Sequence, residues 1–155
     1  MTADAFYAAE DLRVLTPEAF EFVLSNELKR AVRSQNFVTL VLMTVTPEVP
    51  PVDPADRPAV RLAQIVAHDV RETDLLTCVN DTLALALLDA DPASGSRVID
   101  RLMGRLEHYE FPHPLTIAVG AASCPTDATD LEGLRRQAAA RQIAGRRTRR
   151  RLQNA

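Results

Sequence analysis

The stretch Arg71-Glu72-Thr73-Asp74-Leu75-Leu76-Thr77-Cys78-Val79-Asn80-Asp81-Thr82-Leu83-Ala84-Leu85-Ala86-Leu87-Leu88 decides the fold. It reads as the end of a helix, a strand, a two-residue turn at Asn80-Asp81, and a second strand. Asn and Asp tolerate the positive φ that tight hairpin turns require. Leu83, Leu85 and Leu87 alternate with small residues, the period-2 signal of a strand.

Upstream, Ala59 to about Glu72 is amphipathic, with Val60, Ala63, Val66, Ala67 and Val70 on one side. His68 lies within it and reads as a structural histidine, because no second His or Cys stands at ligand spacing. Residues 47–58 hold five prolines and form no continuous helix. Glu48, Asp53 and Asp56 in that run read as a solvated loop rather than a metal site. Phe37 to Val45 is nearly continuous in apolar character, as a central strand covered on both faces should be. Thr16-Pro17 opens a helix over 17–34, Thr as the cap and Pro at the first helical position. Residues 1–15 show little pattern.

Downstream, Asp91-Pro92 repeats the cap-plus-proline start, and a helix to about Tyr109 buries Val98, Leu102, Met103 and Leu106. Pro114 to Pro125 is a strand. Thr129-Asp130-Leu131-Glu132 has capping-box spacing, and the last helix runs on through Leu134, Ala138 and Ala139. The order helix, strand, helix, hairpin, helix, strand, helix gives an α/β sandwich with helices against a mixed sheet.

At 155 residues the chain fits one domain with a substantial core. Its 46% hydrophobic and 25% charged residues are those of an ordinary globular protein. No apolar run reaches a membrane-spanning length and the N-terminus lacks a signal-peptide pattern, so a cytoplasmic protein is expected. Cys78 and Cys124 fall in strands without metal-ligand spacing and read as buried thiols in a reducing compartment. The net charge of −3 hides an asymmetry. Up to Glu132 there are 21 acids against 10 bases; from Gly133 on there are eight arginines and no acid.

These residues carry a family resemblance. Arg71-x-x-Asp74, followed by five residues and the Asn80-Asp81 turn, resembles the central hairpin of GGDEF domains, the bacterial diguanylate cyclases that make cyclic di-GMP from two GTP. Pro114-Leu115-Thr116-Ile117-Ala118-Val119-Gly120-Ala121-Ala122-Ser123-Cys124-Pro125 resembles the family's Leu-Thr-x-Ser-x-Gly-x-Ala-x-x-Pro strand. The resemblance covers about residues 15–150. It divides the chain into an N-terminal extension at 1–14, a degenerate GGDEF-like domain at 15–145 and an Arg-rich tail at 146–155. It implies a GGDEF, nucleotide-cyclase-like sandwich with a central mixed sheet of about five strands flanked by helices.

The departures from the family matter as much. Two hairpin registers are open: Asn80-Asp81-Thr82-Leu83-Ala84 replaces the five-residue signature, or Asp81-Thr82-Leu83 stands where Asp-Glu-Phe belongs. Thr44 and Thr46 stand where an active cyclase ends its strand in Asp-x-Asp. The guanine-reading helix segment is replaced by the proline-rich run, and Ala144-Gly145 stands where the family has Ala-Lys. Neutral hydroxyls replace carboxylates poorly around a hard divalent cation, so no cyclase activity and no cofactor are expected.

The Arg-x-x-Asp motif is the family's product-binding inhibitory site. The resemblance implies that Arg71 grips a guanine edge or phosphate and that Asp74 accepts from guanine N–H groups. Under the short-hairpin register Arg101 supplies a second arginine, with Arg97 one turn earlier on the same face. The expected function is therefore a cyclic di-GMP receptor in signal transduction. The alternative is a protein-interaction or dimerisation module, with Arg141, Arg146, Arg147, Arg149, Arg150 and Arg151 as a basic handle for an acidic partner, a second copy, an anionic membrane or nucleic acid. The tail lacks interleaved aromatics, so specific nucleic-acid recognition is not expected.

Overall fold

A computed structural model describes residues 7–8, 11–50, 57–111, 113–147 and 149–150. The proline-rich residues Asp53 and Asp56, and Arg151 of the tail, lie outside them. The described chain runs β1 (Tyr7–Ala8), β2 (Asp11–Leu15), α1 (Pro17–Ser34), β3 (Val38–Pro47), α2 (Pro58–Ala67), β4 (Leu75–Val79), β5 (Thr82–Leu88), α3 (Pro92–His108), β6 (Glu110–Phe111), β7 (Leu115–Cys124), α4 (Leu131–Ala140), β8 (Ile143–Arg147) and β9 (Arg149–Arg150).

The mixed sheet is present and extends to seven strands, in the order β1-β2-β4-β5-β3-β7-β8. Only the β2–β4 pair is parallel within it. A short parallel pair, β6 with β9, stands apart. Among the described residues no helix is long and apolar enough to cross a membrane.

Alternation along β3 assigns the two layers. Val41, Met43 and Val45 face the cluster built with Leu62, Ala63 and Val66 of α2 and Leu102, Met103 and Leu106 of α3. Val38, Leu40 and Leu42 face the other cluster, with Phe20, Leu24 and Leu28 of α1 and Leu134 and Ala138 of α4. β5 alternates by size rather than polarity. Leu83, Leu85 and Leu87 fill the α2/α3 layer, while Ala84 and Ala86 leave room for the α1 side chains.

Two of the three caps are where the sequence puts them. Thr16 Oγ1 accepts from Ala19 N at 3.3 Å and opens α1. Asp91 Oδ1 accepts from Ser94 N at 2.7 Å and opens α3. At α4 the cap is Asp130, one residue beyond Thr129, accepting from Gly133 N at 3.1 Å.

One helix end is corrected, and two segments form strands that the sequence did not announce. Residues 11–15 form β2, although the sequence shows little pattern there; Val14 feeds one apolar layer and Leu15 the other. α2 stops at Ala67, not near Glu72, because His68 N and Asp69 N turn back to Ile65 O and Val66 O and the chain enters a loop.

The last helix ends at Ala140, and residues 143–147 pair antiparallel with β7 rather than continuing as a helix. Arg146 and Arg147 are therefore strand residues opposite Ile117 and Thr116. Arg141 is held too: its Nη2 donates to Asp127 Oδ1 at 2.9 Å and its Nη1 to Ala121 O at 3.3 Å.

Gly120 allows the α4 end to lie this close. A Cβ there would collide with Ala138 O and stand 2.6 Å from Gln142 N. Both are backbone, so neither can swing aside. Gly120→Ala should destabilise the fold by about 1–3 kcal/mol, the usual cost of overpacking, in urea unfolding; a neutral result would contradict the close approach.

The hydrogen bond from Arg141, then that from Ser123 N, holds the Asp127 carboxyl below its ordinary 3.8. A depressed folded pKa stabilises above the unfolded value, and that stability is lost as pH falls through the folded pKa. Unfolding free energy should therefore decline below about pH 4, and Asp127→Asn should flatten that acid limb in denaturant titrations.

Candidate functional site

Asp74 is enclosed, its side chain only 3% exposed. A buried carboxylate must be satisfied by donors, and here both oxygens are. Oδ2 accepts from Arg71 N at 3.1 Å and Oδ1 from Leu88 N at 3.1 Å. Asp74 N in turn donates to Arg71 O at 3.0 Å. The carboxylate thus closes the 68–74 loop and staples it to the end of β5. The resemblance gives Asp74 the role of a guanine acceptor; here its oxygens face backbone donors inside the fold.

Arg71 lies outside, with 62% of its side chain exposed. Its Nη2 donates to Leu88 O at 2.6 Å, and its Nε stands 3.7 Å from Asp74 Oδ2. The motif therefore grips one peptide twice, Asp74 taking the Leu88 N–H and Arg71 the Leu88 carbonyl. A guanidinium has five N–H donors, so this contact leaves Arg71 donors for other groups.

Arg101 reaches the same loop from α3. Its Nη2 donates to Asp69 O at 3.0 Å. Arg97, one turn earlier, is exposed, and its Nε approaches Ala93 O of its own helix at 3.5 Å. The structure thus brings Arg101 to the loop that carries Arg71 and Asp74, while the recorded contact of Arg97 stays within α3.

Several participants were not legible as site residues. Arg105, one turn beyond Arg101, pairs with Asp69 at 2.9 Å, and the Asp69 side chain is 7% exposed. Arg13 of β2 donates from Nη1 to Glu72 O at 2.8 Å and from Nη2 to Arg71 O at 2.9 Å. The four-residue spacing Arg97, Arg101, Arg105 was the available signal for Arg105. Nothing local pointed to Arg13, which is 58 residues from one of its partners. Beside the loop a groove of about 600 Å³ runs between α2 and α3, lined by Arg61, His68, Asp69, Arg105, His108 and Tyr109. Arg71, Arg97 and Arg101 do not line it.

The hairpin tip carries a different chemistry. Val79 pairs with Thr82 across the Asn80-Asp81 turn, and Asn80 takes the left-handed conformation at φ 54°. Val45 N donates to Asp81 O and Arg57 Nη2 to Asn80 O, both at 2.9 Å. Thr44, at the strand-end position, stands opposite Thr82, with their hydroxyls 3.1 Å apart. Gln142 Nε2 donates to Thr44 Oγ1 at 2.8 Å and approaches Leu42 O and Ala118 O, both at 3.4 Å. Hydroxyl, amide and carbonyl groups hold one another there. Among the described residues, no three His, Cys, Asp or Glu side chains gather as a metal ion would need.

Cys124 is buried, and burial pushes its thiol pKa up; Cys78 is half-buried, its Sγ donating to Ala59 O at 3.5 Å, and neither cysteine is in a disulfide.

The two members of the motif should part in a stability measurement. Asp74→Ala strands two buried N–H donors and should cost about 2–4 kcal/mol in urea unfolding. Arg71→Ala, at an exposed side chain, should cost at most about 1 kcal/mol. Similar small losses for both would contradict the staple.

No protein-family model matches the sequence, and no curated protein matches it. Solved structures do. A DGC protein from Thermotoga maritima superposes with a TM-score of 0.69 at 19% identity, over 84% of this chain and 97% of that one. The coiled coil and GGDEF domain of DgcB from Caulobacter crescentus, solved in complex with c-di-GMP, gives 0.74 at 10% identity, over 89% and 78%. The diguanylate cyclase SiaD from Pseudomonas aeruginosa, in complex with its activator SiaC, gives 0.70 at 17% identity, over 83% and 53%. With its layered sandwich and central hairpin, the chain has the GGDEF-domain fold of diguanylate cyclases.

Proposed function

We propose that the chain is a GGDEF-fold signalling domain without cyclase activity, which receives cyclic di-GMP on the arginine face around the 68–74 loop. The observation that carries this reading is that Arg101 donates to Asp69 O of the loop that carries the exposed Arg71, itself held by Leu88 O and Asp74. A cyclic dinucleotide offers two phosphates and two guanine edges, the planar acceptors that guanidinium forks match. Arg97 extends the face by one turn. Asp74 acts by positioning Arg71 rather than by touching the ligand.

Lack of cyclase activity rests on the strand end. Phosphoryl transfer at such a site calls for carboxylates that hold divalent cations against the triphosphate. Thr44, Thr82 and Gln142 offer neutral groups that already satisfy one another. Asp81 is the carboxylate at the turn itself, and one carboxylate anchors a cation–triphosphate complex weakly.

The interaction-module alternative draws on Phe22 and Ile143, apolar side chains exposed at 66% and 79%. Failure of the wild type to bind cyclic di-GMP, together with self-association in sedimentation, would favour it.

Calorimetry decides the receptor reading. Cyclic di-GMP should bind the wild type, and Arg71→Ala and Arg101→Ala should each weaken binding about tenfold or more, as loss of a charge-assisted hydrogen bond implies. GTP with Mg²⁺ should yield no cyclic di-GMP. Equal binding by wild type and variants, or product formation by the pure protein, would refute the corresponding half.

A further inference from the structure

Arg13 spans two structures that the sequence keeps far apart. It sits in β2, and its guanidinium lies across two consecutive carbonyls, Arg71 O at 2.9 Å and Glu72 O at 2.8 Å. These belong to the first two residues of the Arg-x-x-Asp turn. Asp74 closes that turn from inside by taking Arg71 N. Arg13 closes it from outside by taking Arg71 O and Glu72 O. The Arg71 peptide groups are thus fixed on both sides.

The strand that carries Arg13 also pairs with β1 and β4 and sets Val14 and Leu15 into the two apolar layers. Its recorded register with β4 is the Leu15–Thr77 pair, reinforced by Thr77 Oγ1 donating to Leu15 O at 2.9 Å. Val14 is its buried apolar anchor. Immediately after it, Thr16 caps α1. The two-pronged charged contact is what ties this strand to the loop at Arg71 and Glu72. Hydrogen bonds to a charged group are about twice as strong as neutral ones.

We infer that Arg13 is a positioning residue that couples the seating of strand β2 to the shape of the Arg71–Asp74 loop. Whatever orders one orders the other, because both carbonyls must face the same guanidinium. Linkage makes the effect reciprocal. A ligand that selects the closed loop strengthens the hold on β2, and a pull that lifts β2 releases the loop and weakens the ligand. The ligand half of this inference rests on the cyclic di-GMP reading; the coupling of strand to loop does not.

Arg13→Lys is the informative variant. Lysine keeps the charge but loses the planar fork in which two separate nitrogens each reach one carbonyl. Hydrogen exchange of the ligand-free protein tests the coupling. In Arg13→Lys and Arg13→Ala, amides of residues 12–15 and of 71–76 should both exchange faster, by about tenfold, with β3 and β7 unchanged. Faster exchange in only one segment, or wild-type protection in Arg13→Lys, would overturn the inference.

A second arm adds cyclic di-GMP. It should protect residues 12–15 in the wild type but not in Arg13→Lys, and should bind that variant about tenfold more weakly. Absence of binding to the wild type would remove the receptor reading and leave the ligand-free arm to judge the coupling. Binding that protects the loop but not β2 would overturn the coupling while sparing the receptor.

Discussion

One buried carboxylate sets the geometry at the arginine end of the molecule. Asp74 cannot reach water, so its charge has to be met by fixed donors. It is met by the backbone of Arg71 and of Leu88. That bond pair fixes the path of the loop after α2 and the point where β5 gives way to α3. Asp89, next in line, takes the left-handed conformation at φ 59° and turns the chain toward the Asp91 cap. The direction of α3, and with it the side on which Arg97, Arg101 and Arg105 stand, follows from that turn. Arg101 and Arg105 then close back on Asp69, by its carbonyl and its carboxylate respectively.

The opposite end of the sheet is governed by the last helix. Gly120 lets the end of α4 come down on β7, which brings Gln142 over the sheet. The Gln142 amide then meets Thr44, the residue at the strand-end position. A threonine there without a partner would be a half-buried hydroxyl; with Thr82 and Gln142 it belongs to a neutral network. The two ends therefore differ in kind. One concentrates guanidinium groups around a loop; at the other, the strand-end groups Thr44, Thr82 and Gln142 are uncharged and joined to each other, with Arg57 on the Asn80 carbonyl at the turn. A dinucleotide product and a metal-bound triphosphate make opposite demands, the first for cations and flat donors, the second for carboxylates. That contrast is why the receptor reading is preferred.

Much of the fold was legible because it depends on local chemistry. The caps Thr16 and Asp91, each followed by proline, located two helix starts. The unbroken apolar run of β3 announced a strand with two covered faces, and Leu–Ala alternation announced β5, although the small residues proved to be buried under α1 rather than exposed. What could not be read depended on contacts distant in sequence. α2 ends early as His68 N and Asp69 N turn back, into a loop that Asp74 closes on the Arg71 amide. Val14 and Leu15 are single apolar residues feeding different layers, too few to make a periodic signal for β2. Ile143 to Arg147 became a strand because β7 offered an edge, not through its own composition. Arg71 and Asp74 were legible as a motif, but their unequal burial was not, since spacing carries no information about which side faces water. Arg13 had no signal at all.

The most direct test is amide NMR on the labelled chain, titrated separately with cyclic di-GMP and with a non-hydrolysable GTP analogue plus Mg²⁺. Shifts from the dinucleotide should gather at residues 69–74, Leu88 and the α3 positions 97–105, with Thr44, Asn80 and Thr82 silent in both titrations. Saturable shifts at Thr44, Asn80 and Thr82 with the GTP analogue and Mg²⁺ would contradict the division between a cationic receptor face and an uncharged strand end.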